Sequence, residues 1–260
     1  MQRLYICHPK IMRWIYLSPH FDDAVLSCGG LIYEQTRQGN RAEIWTILAG
    51  DPPPGPLSEF ARQNHALWGV ASGEQTVAMR RVEDEAAASL VGAYLLHFDI
   101  PDCIYRRSPK GEYLYTETVI TSLHPADRNL PKRIAAALRT KLRKDDRLVC
   151  PLALGGHVDH VLVRQAAEAL HRPLFYYADV PYVLNNPQTL EPAITAFESQ
   201  FHQVSETSLD AWLEGVAAYR SQVDSLFKGE GTLSDAIRSY SAGESGIRLW
   251  RIGGQLFKTA

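Results

Sequence analysis

Along the first 180 positions, short apolar runs alternate with longer stretches in which apolar residues recur every three or four positions, the pattern of strands alternating with helices. The runs at 14–17, 42–48, 94–98, 148–152 and 174–178 read as buried strands. Between them, a helix from about 23 to 38 stops at Gly39-Asn40, a second covers 57–70, and "RRVEDEAAASLVG" (80–92) forms a third with Gly92 as its stop. The segment 130–142 sets Ile134, Leu138 and Leu142 on one face and Lys and Arg on the other, and Leu162, Ala166 and Leu170 align on the helix after "GGHVDH". The prolines and glycines of "AGDPPPGPLSEF" (49–60) forbid regular structure and predict a long loop over one edge of the sheet. Such alternation predicts an α/β fold, a mostly parallel sheet with helices on both faces.

The rhythm breaks after residue 180. "NNPQTLEPA" reads as a connector, "SLDAWLEGVAAYRSQVDSLF" as one helix and "GIRLWRI" as a late strand or docking tail. The expected organisation is therefore a core over 1–180 and a smaller lobe over 181–260, packed on the core within the same domain. Gly29-Gly30 interrupts the first helix at a cost of about 1 kcal/mol per glycine relative to alanine. With no GxGxxG pattern around it, the pair predicts a closely packed neighbour and not a phosphate site.

Composition narrows the classes of function. A chain of 260 residues, 45% of them hydrophobic, supports a substantial interior. Its 27 basic and 29 acidic residues leave a formal charge of −2, which provides no field for gathering phosphates. Nucleic acid is not an expected partner; a small or surface-presented neutral substrate is. The least polar run, 86–96, is far shorter than the roughly 20 residues that cross a bilayer. Arg3, His8, Lys10 and Arg13 interrupt every candidate signal h-region, so the expected location is the cytoplasm, with the first eleven residues a flexible extension. Cys7, Cys28, Cys103 and Cys150 show no CxxC spacing and are expected to be free thiols. No feature of the sequence sets the oligomeric state.

The candidate chemistry lies where two of the strands end. His20, Asp22 and Asp23 in "SPHFDDAVLSCGG" follow the first strand, and His157, Asp159 and His160 follow the strand that ends near 152. Carboxyl ends of strands are where loops converge in an open α/β sheet. Chance alone gives about one histidine with an acid three positions later in a chain of this makeup. "HPAD" (124–127) is taken as that accident, a surface loop. For "PHFDD" the competing explanation is an ordinary helix start with a capping aspartate. Two imidazoles and one carboxylate suit a catalytic divalent metal with an open position. Adjacent aspartates point differently, so Asp23 can bind the ion while Asp22 faces the attacking water as base. His157 is placed to donate a proton or steady an oxyanion.

These residues resemble the PIG-L/LmbE-like zinc-dependent N-deacetylases, whose PHxDD and HxDH motifs are matched by "PHFDD" and "HVDH" over roughly residues 13–180. The resemblance implies a Rossmann-like core and action on N-acetylglucosaminyl conjugates and related amides. By position it implies His20, Asp23 and His160 as zinc ligands, Asp22 as base, His157 as the group that stabilises the intermediate, and Asp159 as the carboxylate tuning His157. Arg81 and Asp102 resemble residues that hold sugar hydroxyls. Two positions depart from the family: its Glu after the aspartates is Ala24 here, and a tyrosine that some members carry is Gly155. The expected function is a metal-dependent amidohydrolase removing an acetyl or short acyl group from an amino sugar or glycoconjugate. The alternatives are an amidase for a thiol conjugate or other non-sugar amide, and a silent carbohydrate-binding module.

Overall fold

The computed structural model describes residues 11–70, 72–226, 233–242 and 246–254. Strand β1 (Arg13–Ser18) leads into helix α1 (Asp23–Arg37), then β2 (Arg41–Thr46), α2 (Glu59–Leu67), α3 (Gly73–Leu90) and β3 (Tyr94–His97). An irregular excursion with 3-10 turns at Cys103–Tyr105 and Pro125–Asp127 precedes α4 (Leu130–Arg139), β4 (Arg147–Pro151), α5 (Val158–Glu168) and β5 (Leu174–Tyr177). Short helices α6 (Tyr182–Asn185) and α7 (Leu190–Ile194) follow, then β6 (Phe197–Gln203), α8 (Glu206–Ala217), α9 (Arg220–Leu226), α10 (Leu233–Ala242) and β7 (Gly246–Ile252).

Among the described residues, seven strands form one sheet in the order β3-β2-β1-β4-β5-β7-β6. The first five are parallel; β7 runs antiparallel to β5, and β6 antiparallel to β7. The expected α/β sheet is present, and residues after 181 extend it by two strands. Residues 14–18 of β1 are all buried, as befits a central parallel strand covered on both faces. Because β2 lies on one side of β1 and β4 on the other, the chain leaves the centre in opposite directions. That reversal opens a crevice at the carboxyl ends of β1 and β4.

Helix α3 begins at Gly73, ahead of the expected 80, the expected connector over 185–193 carries most of α7, and two further elements differ from expectation. Strand β6 is mostly exposed, so no buried alternation marks it in the sequence. The single helix expected over "SLDAWLEGVAAYRSQVDSLF" is broken into α8 and α9. At the break, Tyr219 is buried and its hydroxyl donates to Asp84 Oδ1 at 2.9 Å, a tertiary contact that the local pattern does not carry.

The double glycine of α1 meets the close neighbour expected of it. A Cβ on Gly29 would collide with the Trp212 ring of α8, and one on Gly30 would lie 2.9 Å from both Trp212 and Val204. Trp212 is fully buried, and its indole N–H donates to the Val25 carbonyl at 2.6 Å. At the opposite, amino-terminal end of the strands, Arg13 bonds Glu43 through Nε at 2.7 Å and Asp146 through a terminal nitrogen at 2.6 Å. Cys28, Cys103 and Cys150 are buried free thiols, whereas Cys7 and the rest of the expected extension, apart from Ile11, lie outside the described residues. Among the described residues, no helix is long and apolar enough to cross a membrane.

Candidate metal centre and catalytic cleft

The turn after β1 is fixed by the residue that ends the strand. The Ser18 hydroxyl donates to the His20 carbonyl at 2.5 Å and accepts the Ala24 N–H at 3.0 Å. The His20 N–H donates to Asp23 Oδ2 at 2.7 Å, which orients that carboxylate. Asp22 sits at the N-cap of α1 yet makes no side-chain capping bond, so helix capping does not account for its carboxylate. It faces Arg80 instead, at 3.4 Å.

After β4 the chain passes through left-handed backbone at Ala153, Gly155 and Gly156 before His157 opens α5. His157 Nδ1 accepts the Asp159 N–H at 3.1 Å, so its neutral ring carries the proton on Nε2. His160 follows on the same helix. Its Nδ1 faces Asp179 Oδ1 at 2.6 Å and its Nε2 lies 3.3 Å from Asp23 Oδ1.

Remote segments therefore meet: the His20 and His160 ring centroids are 5.4 Å apart. One ligand atom from each of His20, Asp23 and His160 falls within 4.8 Å of the others. His20 Nδ1 is 3.2 Å from Asp23 Oδ2, and the Asp23–His160 separation is 3.3 Å. Two ligands bound to one ion at 2.0–2.2 Å in tetrahedral geometry stand roughly 3.3–3.5 Å apart, so the donor set suits a divalent ion. Each imidazole also has its far nitrogen against a buried carboxylate: His20 Nε2 is 3.2 Å from Asp159 Oδ2, and His160 Nδ1 rests on Asp179. Such partners fix ring tautomer and orientation at metal sites.

The charges reinforce one another. Burial pushes the Asp22 carboxyl above its usual range, with Arg80 opposing the shift. Burial pushes Asp23 the same way, but the adjacent His160 and His20 outweigh it and hold Asp23 well below the usual range. Burial disfavours charge on His160, yet Asp23 and Asp179 win and raise it to about 9. His157 moves far down, through burial first and then its two histidine neighbours, and is neutral near pH 7. The cleft can thus hold a cation at three donors, beside one uncommitted carboxylate and one neutral N–H donor.

The other expected site residues are placed unequally. Asp102 reaches the cleft: Oδ1 accepts the Ile104 N–H at 3.1 Å, and Oδ2 lies 3.7 Å from His20 Nε2. Arg81 does not. It bonds the Ala49 carbonyl at 2.7 Å and Asp51 at 3.1 Å, outside the cleft lining, and the arginine that enters is Arg80. Along α3, Thr76, Val77, Arg80, Asp84 and Ala87 form the buried stripe, and this helical phase turns Arg80 inward. The Asp159 carboxylate accepts its hydrogen bonds from the Cys103 N–H and His20, and its charge acts on His157 through space, raising that ring's pKa against the larger effect of burial. "HPAD" is not a mere surface loop, because Asp127 is buried against Arg106 at 2.8 Å.

Asp179 escaped sequence reasoning, although an acid at the carboxyl end of β5, beside β4, was a usable signal. Tyr182 ends the bend "YYADVPY" (176–182), whose aromatic side chains the sequence alone leaves divided between cleft and core. Its ring packs edge-on to His160 with centroids 5.4 Å apart, lines the cleft, and fills the space where a Cβ on Gly155 would lie.

Comparison with known proteins places the chain among deacetylases by sequence and fold. The family model for PIG-L, GlcNAc-PI de-N-acetylase, matches residues 15–171, more than half of the chain. The 2'-N-acetylparomamine deacetylase of Niallia circulans is 27% identical over 263 residues, spanning 92% of this chain and 94% of that protein. The zinc-inhibited form of teicoplanin deacetylase Orf2 superposes with a TM-score of 0.81 at 27% identity, covering 93% of this chain and 98% of the other. A deacetylase–teicoplanin complex gives 0.79 at 25% identity with the same coverage.

Proposed function

The chain belongs to the PIG-L family of GlcNAc-PI de-N-acetylases, and from that premise we propose that it is a metal-dependent amidohydrolase removing an acetyl, or another short acyl group, from an N-acylated amino sugar or its conjugate. The observation that carries the reading is the meeting of His20, Asp23 and His160 around one point, with Asp22 beside them and free of any capping bond. In this reading His20, Asp23 and His160 hold the ion, which is zinc. When bound, the ion supplies Lewis acidity that polarises the amide carbonyl and acidifies water.

The remaining work belongs to the side chains. Asp22 takes a proton from the attacking water; its raised pKa, bounded by Arg80, places it closer to working pH than an exposed carboxylate. His157 offers its Nε2–H to the oxygen that gains charge as the carbonyl carbon becomes tetrahedral. Asp22 then returns the proton to the leaving nitrogen, the C–N bond breaks, and amine and carboxylate depart. Asp102, through its cleft-facing oxygen, and Arg80 are the groups placed to hold sugar hydroxyls.

The test is acetate release from a panel of N-acetylhexosamine conjugates, with metal content measured in parallel. Wild type is expected to turn over at least one of them and to lose activity on chelation. Asp22→Asn is expected to keep its metal and lose about 10²–10⁴-fold in kcat. Full activity in Asp22→Asn would remove the assigned base.

A further inference from the structure

A chain of buried charge that ends at the cleft starts outside it. Asp127, in the excursion between β3 and α4, accepts from Arg106 Nε at 2.8 Å and from the Tyr115 hydroxyl at 3.0 Å. A terminal nitrogen of Arg106 lies 2.6 Å from Asp159 Oδ1, and another donates to the Pro101 carbonyl at 3.3 Å. The second oxygen of Asp159 accepts the Cys103 N–H at 2.9 Å and faces His20 Nε2 at 3.2 Å. Arg106, Asp127 and Asp159 are all buried.

We propose that Arg106, anchored by Asp127, is a positioning residue for the metal centre: it holds the Asp159 carboxylate in place, so that His20 keeps its proton on Nε2 and presents Nδ1 to the ion. The proposal rests on the metal-dependent reading above. Three features support it. The contact between Arg106 and Asp159 is charge against charge, because neither atom of the close pair has a well-directed hydrogen bond among the described residues. A buried arginine facing two carboxylates is a poor means of stabilising a fold, since apolar side chains of similar volume serve as well. Finally, the chain ends on an imidazole whose other nitrogen faces Asp23, and partners of this kind set ligand basicity and tautomer. His160 has the equivalent support locally, from Asp179 at the end of the adjacent strand, whereas His20 receives its own through an arginine held by a separate loop.

The experiment measures zinc affinity by chelator competition, the His20 tautomer by long-range ¹H–¹⁵N imidazole correlation in zinc-loaded protein, and the thermal midpoint without metal, for wild type, Arg106→Gln, Arg106→Lys and Asp127→Asn. Arg106→Gln is expected to bind zinc roughly tenfold or more weakly and to show a mixed His20 tautomer, with Arg106→Lys recovering most of both. Asp127→Asn, which leaves Arg106 charged, is expected to lose less affinity than Arg106→Gln and stands in for it if that variant does not fold. Zinc affinity within twofold of wild type and an unchanged tautomer in folded Arg106→Gln, or in Asp127→Asn where it is the stand-in, overturns the proposal alone. A wild type that binds no divalent ion overturns the metal reading with it.

Discussion

Gly155 and Gly156 share left-handed backbone, with φ of 79° and 70°, but only Gly155 faces a ring. A Cβ at 156 meets nothing nearer than Ile120 at 3.9 Å, whereas one at 155 would run into Tyr182. Alanine at either position carries a left-handed strain of roughly 1–2 kcal/mol. Gly155→Ala is expected to lose more stability than Gly156→Ala in urea denaturation, and also to weaken metal binding, because the displaced ring packs on His160. Equal losses at the two positions would deny Tyr182 that supporting place. Asp179 is more directly involved: Asp179→Asn keeps the side chain's shape but removes the charge that His160 Nδ1 faces, and metal affinity should fall about 10–100-fold in a chelator competition. Among the residues of the cleft, His20, Asp22, Asp23, His157 and His160 are legible in the sequence because each of the two motifs follows a strand and opens the next helix. Arg80 was one position away from legible: adjacent helical residues differ by about 100° in direction, and packing decides which of Arg80 and Arg81 turns inward. Arg106 carries no local signal, since its carboxylate partners are remote in sequence, and Asp127 lies in "HPAD", whose spacing alone does not distinguish it from chance.

At the scale of elements, the approach of α8 to α1 decides where the later lobe sits. Gly29→Ala gains about 1 kcal/mol in helix propensity, yet the new methyl meets the fully buried Trp212 ring. Overpacking of this kind costs typically 1–3 kcal/mol, and the indole N–H to Val25 carbonyl bond limits how far the ring can retreat. Net destabilisation is expected, visible as a lower urea midpoint; a midpoint at or above wild type would mean that α8 yields easily. The glycine pair announced a close neighbour, but nothing in it named α8. Strand β6 and the break before α9 were hidden for a related reason. An exposed edge strand has no buried face to generate alternation, and a helix interrupted for a tertiary hydrogen bond keeps its local propensity.

The whole molecule divides its charges between the two ends of the sheet. Chemistry lies at the carboxyl ends of β1 and β4, while the amino-terminal ends are tied by Arg13, Arg41, Glu43 and Asp146. Burial opposes ionisation of Glu43, but hydrogen bonds from Arg13, Arg41 and Trp45 prevail and lower its pKa from 4.5 to about 2. A carboxyl depressed in the folded state contributes stability that is fully present above its unfolded pKa and disappears as pH falls through the folded one. The wild-type unfolding free energy should therefore decline between about pH 4.5 and 2, and Glu43→Gln, less stable at neutral pH, should decline less steeply over that window. Parallel acid profiles for the two proteins would show that the clamp contributes nothing.

Periodicity and strand-end motifs, taken from the sequence alone, determined the α/β class, the five parallel strands, the metal-ligand candidates and the candidate base beside them. They could do so because a strand, the turn at its end and the first turn of the next helix are local structures, specified by residues close together in the chain. The tertiary structure alone decided that β1 and β4 are neighbours, that Arg80 and not Arg81 enters the cleft, and that Asp179 and Arg106 support the two imidazoles. Those outcomes depend on strand order, helix phase and the meeting of distant loops, which packing of the whole chain selects and no short stretch of residues encodes.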